Sequence, residues 1–226
     1  MIEARKITKR YIDGTNDIIA VNSANITVNK GDFILIIGRS GSGKSTLLSM
    51  LGGLTRPSEG SVLLEGADMG TLPDTRLSQI RAETFGFIFQ FPGLIPTLTA
   101  LDNVILPTLF CGNGIDSRKR AVNLLDSFGL ADKLASYPSN LSGGEQKRVA
   151  IARSLINDPQ VILADEPTGD LDVRTEKIIM DYIKDINKMG KTIIMVTHGP
   201  EMFIYANRVF NMENGMLSEV TGSYKT

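Results

Sequence analysis

Gly38-Arg39-Ser40-Gly41-Ser42-Gly43-Lys44-Ser45 fits the spacing G-x-x-x-x-G-K-[ST]. Glycines at that spacing let successive backbone N–H groups turn inward around a phosphate, and a helix opening at Lys44 adds the positive end of its dipole. The Lys44 ammonium reaches the β- and γ-phosphates of a nucleoside triphosphate, Ser45 offers a hydroxyl to Mg2+, and Thr46 can add one to the α-phosphate. The bland alternative is a glycine-rich strand-to-helix turn without a ligand. The loop follows an apolar strand pattern and opens an amphipathic helix, which favours the phosphate reading. By itself it leaves kinases, GTPases and motor ATPases open.

Val161-Ile162-Leu163-Ala164-Asp165-Glu166 puts two acids at the carboxyl end of an apolar run, the edge of an α/β sheet where ligands bind. Facing phosphates there, Asp165 would hold Mg2+ through water, and Glu166 would orient and polarise a water for in-line attack on a γ-phosphate. Alone, the pair could be a solvated strand end. Leu141-Ser142-Gly143-Gly144-Glu145 precedes a helical pattern. Ser142 and Glu145 have capping-box spacing, while two adjacent glycines at a helix start leave backbone N–H groups open to an anion. Both readings can hold together.

Short apolar runs at Phe33 to Ile37, Phe85 to Phe89, Val161 to Ala164 and Ile193 to Val196 read as buried parallel strands. Helical patterns lie between them, with Leu47, Leu48, Leu51 and Leu54 on one face, and Val149, Ala152, Leu155 and Ile156 on another. Ile2 to Tyr11 and Ile18 to Val28 alternate in twos around Asp13-Gly14-Thr15-Asn16-Asp17, which predicts an antiparallel edge layer. From Pro92 to about Asn157 helical signals take over, around Leu101 to Phe110, Ser117 to Phe128 and Gly143 to Asn157, as an insertion in the α/β core. Arg118, Lys119 and Arg120 read as a solvated helix face, and Gly222 to Thr226 as a frayed tail. With 24 basic and 25 acidic side chains, net charge −1, the chain has no basic field to attract nucleic acid. One cysteine, Cys111, excludes an internal disulfide, and no apolar run approaches membrane-spanning length.

These motifs together resemble the ABC-type ATPases. Leu141 to Glu145 resembles that family's signature loop and lies, as there, upstream of the second acid pair; the resemblance covers essentially the whole chain. It implies an α/β fold, a P-loop NTPase (RecA-like) core of mostly parallel sheet with an antiparallel β layer and an inserted helical subdomain. The chain would be one domain over 1–226, with 1–90 and 158–226 as core and 91–157 as the insertion. It also implies ATP and Mg2+ as ligands, the metal meeting Ser45, Gln90 and Asp165. Two ATPase subunits would pack head to tail, so that Ser142, Gly143, Gly144 and Glu145 of one face the ATP held by Gly38 to Thr46 of the other.

Further positions fall into the family order. Tyr11 resembles the aromatic that stacks on adenine, though alone it is an ordinary strand tyrosine. Gln90 resembles the glutamine that meets Mg2+ and the attacking water and senses a membrane partner. His198, the one histidine, resembles the switch histidine that donates to the γ-phosphate; alone it is a strand-end histidine. Gly169 to Asp172 resembles the loop that crosses to the other subunit, and Asp172 also reads as a helix cap. Asp170 stands where the family often has a small residue or an amide, and Gly199 where an acid or amide is common.

Gln90-Phe91-Pro92-Gly93-Leu94-Ile95-Pro96, followed by Leu98 to Val104, resembles the branch serving lipoprotein release, macrolide and antimicrobial-peptide export, and cell division. Amino-acid importer ATPases share much of this stretch. The resemblance implies an integral membrane permease docking on Phe91 to Val104, and a cytoplasmic chain held at the inner membrane face through it. A soluble ABC-type ATPase acting on ribosomes or DNA would be expected to show a second cassette, a long coiled coil or a basic patch. A phosphate-loop kinase or GTPase leaves Leu141 to Glu145 unexplained.

Overall fold

The computed structural model describes residues 1–13, 16–111, 116–169 and 171–220; Gly14, Thr15, residues 112–115, Asp170 and the tail from 221 lie outside it. In chain order the elements are β1 (Ile2–Asp13), β2 (Asn16–Val28), β3 (Phe33–Ile37), α1 (Lys44–Leu51), β4 (Glu59–Leu64), β5 (Ala67–Asp68), α2 (Asp74–Thr84) and β6 (Phe85–Ile88). Then come α3 (Ala100–Ile105), α4 (Ser117–Ser127), α5 (Gly143–Leu155), β7 (Val161–Asp165), α6 (Val173–Lys188), β8 (Thr192–Thr197), β9 (Arg208–Glu213) and β10 (Met216–Glu219). They fall into two compact units, Met1–Leu77 with Gly190–Thr226, and Ser78–Met189.

In the first unit β3 lies between β8 and β9, parallel to both, and the register pairs Phe33 with Ile193 and Ile37 with Thr197. That register brings the loop after Ile37 and the residue after Thr197 out at the same sheet edge. Fully buried β-branched residues such as Ile34, Ile36, Ile193 and Val196 suit strands covered on both faces. The antiparallel layer has the order β2-β1-β4-β5, with β1 and β2 as expected. Helix α1 buries Leu47, Leu48, Met50 and Leu51. Leu54, expected on that face, lies beyond the break at Gly52 and Gly53 and is 45% exposed.

Strands β4, β5, β9 and β10 and helix α2 have no counterpart in the sequence expectations. Helix α2 buries only Leu77, so it carries almost no apolar stripe. The strands are short, β10 is largely exposed, and β4 and β5 are mostly half-buried or exposed. Their turns were readable, because Asn214-Gly215 has φ of 49° and 77°, the left-handed pair of a two-residue hairpin.

In the second unit β6 pairs in parallel with β7, Ile88 opposite Ala164, so Gln90 and Asp165 leave the two strands at the same end. Helix α5 packs on β6 and against α3 and α4. Its start is a complete capping box: the Ser142 amide donates to Glu145 Oε2 at 2.7 Å and the Glu145 amide to Ser142 Oγ at 3.3 Å. The bond from the Ser142 amide is the main cause that holds the Glu145 carboxyl below its ordinary value. Arg120 departs from the solvated-face expectation, since its guanidinium donates to the Ile156 and Leu155 carbonyls at 2.7 and 3.2 Å, where α5 ends. Asp172 caps α6 through the Arg174 and Thr175 amides, as the spacing predicted.

Gly86 of β6 lies so close to α5 that an added Cβ would collide with the Ser154 carbonyl and sit 2.7 Å from Ile162 Cδ1. Gly86→Ala should therefore lower stability by about 1–3 kcal/mol in urea denaturation, and an unchanged midpoint would contradict this packing. A lowered carboxyl pKa contributes stability above the unfolded value that is lost as pH falls through the folded one. Glu145→Gln keeps the cap geometry without the charge, so wild type should exceed it in stability at neutral pH. In a urea series the difference should fade on acidification below the ordinary glutamate range.

Candidate nucleotide-binding site

Within the first unit, the loop from Gly38 to Gly43 is seated where no side chain fits. A Cβ on Gly38 would collide with the Met212 carbonyl, and one on Gly43, whose φ is 105°, with that of Ala20. The Gly215 amide also donates to the Ser42 carbonyl at 3.1 Å. Strand β2 and the β9–β10 hairpin thus hold the loop from two sides. Helix α1 opens at Gly43 with no side-chain cap and no acid in its first turn, so its leading N–H groups and dipole favour an anion.

Lys44 is 5% exposed, and its Nζ donates to the Gly38 and Arg39 carbonyls at 2.8 and 2.9 Å. The ammonium is thereby held under the loop tip. Ser42 Oγ is buried without a hydrogen-bond partner among the described residues. A buried orphan hydroxyl calls for an explanation, and a phosphate oxygen at this loop would satisfy it. Ser45 is exposed and Thr46 half-buried. The residues present fit a phosphate chain.

A cavity of about 730 Å³ is lined by Gly38 to Ser42, His198 and the hairpin residues Asn211 to Asn214. His198 therefore shares a space with the loop tip, at the edge the β3–β8 register sets. Gly199 donates its amide to Thr197 Oγ1 at 3.2 Å. Tyr11, on β1 opposite Ile18, is 43% exposed, with Lys9 Nζ 5.3 Å from its ring centroid. An accessible ring of this kind can stack on a base.

Within the second unit, Asp165 ends β7 and Glu166 follows in the left-handed region, φ 43°, uncommon for a residue with a Cβ. The chain then turns, and the Gly169 amide donates to the Glu166 carbonyl at 3.1 Å. A Cβ on Gly169 would lie 3.6 Å from Gln90 Cγ and Nε2, so Gln90 packs its side chain beside the turn that Glu166 opens. Ser142 and Gly143 are exposed at the head of α5 and Glu145 closes the cap. A Cβ on Gly144 would reach 2.8 Å from Thr175 Cγ2 in the first turn of α6. Asp170 falls outside the described residues.

Lys147 and Arg153 had no role of their own in the sequence reading, and Asn103 entered it only as part of the Phe91 to Val104 docking stretch. Lys147, 2% exposed, donates to the Phe89 and Gln90 carbonyls at 3.1 and 2.5 Å. Arg153 donates to those of Gly93 and Pro92 at 2.8 and 2.6 Å, and burial pushes its pKa down. Asn103, fully buried, accepts from the Ile95 amide and donates to the Ile95, Leu98 and Thr99 carbonyls. A signal existed for Lys147: with Ala150, Ile151 and Ser154 it lies on the buried stripe of α5.

The ABC transporter family profile matches residues 21–169. An uncharacterized ABC transporter ATP-binding protein of Thermotoga maritima is 44% identical over 97% of this chain and 94% of its own. A macrolide export ATP-binding/permease protein of Chlorobaculum tepidum is 43% identical over 96% of this chain. The chain spans about a third of that relative, as of the probable syringafactin export ATP-binding/permease protein of Pseudomonas syringae, 44% identical to it. Among solved structures, an ATP-binding cassette captured as a dimer in a post-hydrolysis state with ADP and Pi superposes with a TM-score of 0.90. It is 39% identical and covers 98% of this chain and 100% of its own. With the loop, the paired acids and the glycine-led helix of α5 in the family's order and fold, this chain belongs to the ABC transporter family.

Proposed function

We propose that the chain is the ATP-binding and ATP-hydrolysing subunit of an ABC transporter, one α/β domain with residues 91–157 as a helical subdomain. It dimerises around two ATP molecules and drives an integral membrane permease of the export or lipoprotein-release type. The observation that carries this reading is the loop over α1, whose uncapped helix start, buried Ser42 hydroxyl and tethered Lys44 ammonium form a cradle for phosphates. The export names of the relatives and the dimeric cassette support the rest.

Backbone N–H groups of Arg39 to Lys44 and the Lys44 ammonium hold the β- and γ-phosphates, Thr46 the α-phosphate, and Tyr11 the adenine. Ser45, Asp165 and Gln90 are the oxygen donors for Mg2+, which when bound offsets the charge on the phosphates. Glu166 orients a water and takes its proton as the oxygen attacks the γ-phosphorus and ADP leaves in line. His198 donates to the γ-phosphate oxygens. The far wall of each site is Ser142 to Glu145 of a second copy, whose exposed cap and glycines offer N–H groups to the same phosphate.

No helix among the described residues is long and apolar enough to cross a membrane; in this reading contact with the bilayer runs through the permease. Phe91 is 73% exposed and Ile95 37%, while Ala100, Leu101 and Val104 are buried. The docking face within Phe91 to Val104 is therefore its first half, with nearby Leu109 and Phe110, 75% and 72% exposed, as further apolar surface. The chain is cytoplasmic and peripheral in this reading.

Glu166→Gln should retain ATP, lose roughly 100-fold or more of its turnover, and elute as an ATP-bound dimer in size-exclusion chromatography. Wild-type phosphate release by that variant would remove Glu166 as the base. Ser142→Ala with Gly144→Asp should leave ATP bound to the monomer but abolish the dimer and its turnover, with circular dichroism checking the fold. Dimerisation at the wild-type ATP concentration would contradict the composite site.

A further inference from the structure

Lys147 is a charged side chain in a place that normally excludes charge, and its surroundings say what it holds. A buried ammonium is strongly unfavourable unless its protons find acceptors, and here two carbonyls supply them, those of Phe89 and Gln90. Both belong to the stretch leaving β6, where there is no further ladder to bond them. Gln90 is thus fixed by its backbone to α5. Its side chain in turn lies along Gly169, whose amide closes the turn begun by Glu166.

The same helix begins at the Ser142–Glu145 cap, five residues before Lys147, and one turn and a half further on Arg153 binds the Pro92 and Gly93 carbonyls. One rigid element therefore carries the exposed glycine start at one end and two cationic clamps on residues 89–93 along its length. All of these contacts lie within the second unit.

We infer that Lys147 is a positioning residue for Gln90: it locks the carbonyl end of Gln90 to α5, so that the glutamine side chain takes its place from the helix headed by Ser142. This rests on the hydrolytic reading above for its consequence in turnover, but not for the tether itself. A shift of α5, from contact at its glycine start or at Phe91, is transmitted to the Phe89–Gln90 backbone through two hydrogen bonds, one to each carbonyl, rather than through loose packing.

The test compares wild type with Lys147→Met, which keeps the volume and removes the donors, and Lys147→Gln, which restores amide donors. Hydrogen–deuterium exchange without nucleotide should be faster across residues 89–99 in Lys147→Met and return toward wild type in Lys147→Gln. In steady-state ATP hydrolysis, Lys147→Met should lower kcat roughly tenfold or more with KM for ATP within about twofold. In a Gln90→Ala background Lys147→Met should add no further loss of kcat, because it acts through that side chain. Wild-type exchange in Lys147→Met, or losses that multiply in full in the double variant, would overturn the inference. If Lys147→Met does not fold, Lys147→Ser, which leaves room for water at the carbonyls, is held to the same outcomes. A wild-type chain that leaves ATP intact refutes the hydrolytic reading instead, and the exchange experiment then decides the tether alone.

Discussion

The fit of bare backbone against bare backbone at Gly38 and Gly43 is the constraint on which the first unit depends. Two carbonyls, of Met212 and Ala20, approach the phosphate loop so closely that neither position admits a methyl group. Such contact needs both partners held to within a few tenths of an ångström, and that is what the flanking strands achieve. Met212 is fixed in β9 opposite Leu217 of β10, one residue past the last β3 pair of Ile37 with Asn211; Ala20 lies in β2, and the Asn22 amide donates to the Gly215 carbonyl at 2.8 Å to join the two supports. The loop's curvature, and so the direction of its N–H groups, follows from the seat rather than from the loop.

Most of the parallel framework was legible because its strands are short, apolar and β-branched. Phe33–Ile37 matches the expected run residue for residue, β6 and β7 differ by one residue at one end, and β8 by one residue at each end. Caps at Ser142 and Asp172 were equally readable, since a cap is a local arrangement of three or four residues. Strands β5 and β10 escaped because they are short and mostly half-buried or exposed, β4 because its burial does not alternate, and Leu54 because the Gly52-Gly53 break ends the helix before the apolar pattern stops.

At the candidate site the sequence exposed the donors and acids but not the groups that hold them. Lys147 and Arg153 lie on α5, where a cationic side chain reads as solvated unless its place on the buried stripe is noticed, and the packing against residues 89–93 reveals their task. Asn103 is similar: a single amide satisfies four backbone groups of the segment from Ile95 to Thr99. Partners up to 61 residues away leave no trace in local spacing. Such buried donors stand in for a ladder where the chain leaves regular structure, which is why an irregular segment can present Phe91 on a firm base.

Lys44 has a consequence for how tightly anything binds above it. A free lysine head sweeps many rotamers, and stilling it at the moment of binding costs about 0.5–1.5 kcal/mol of affinity. Here the Gly38 and Arg39 carbonyls already fix the head, and burial of the stem fixes the rest. That entropy is surrendered when the chain folds, not when a ligand arrives. The loop's affinity is therefore partly stored in its fold stability, and a substitution that merely loosens the seat at Gly38 should weaken binding without touching a single ligand-facing group.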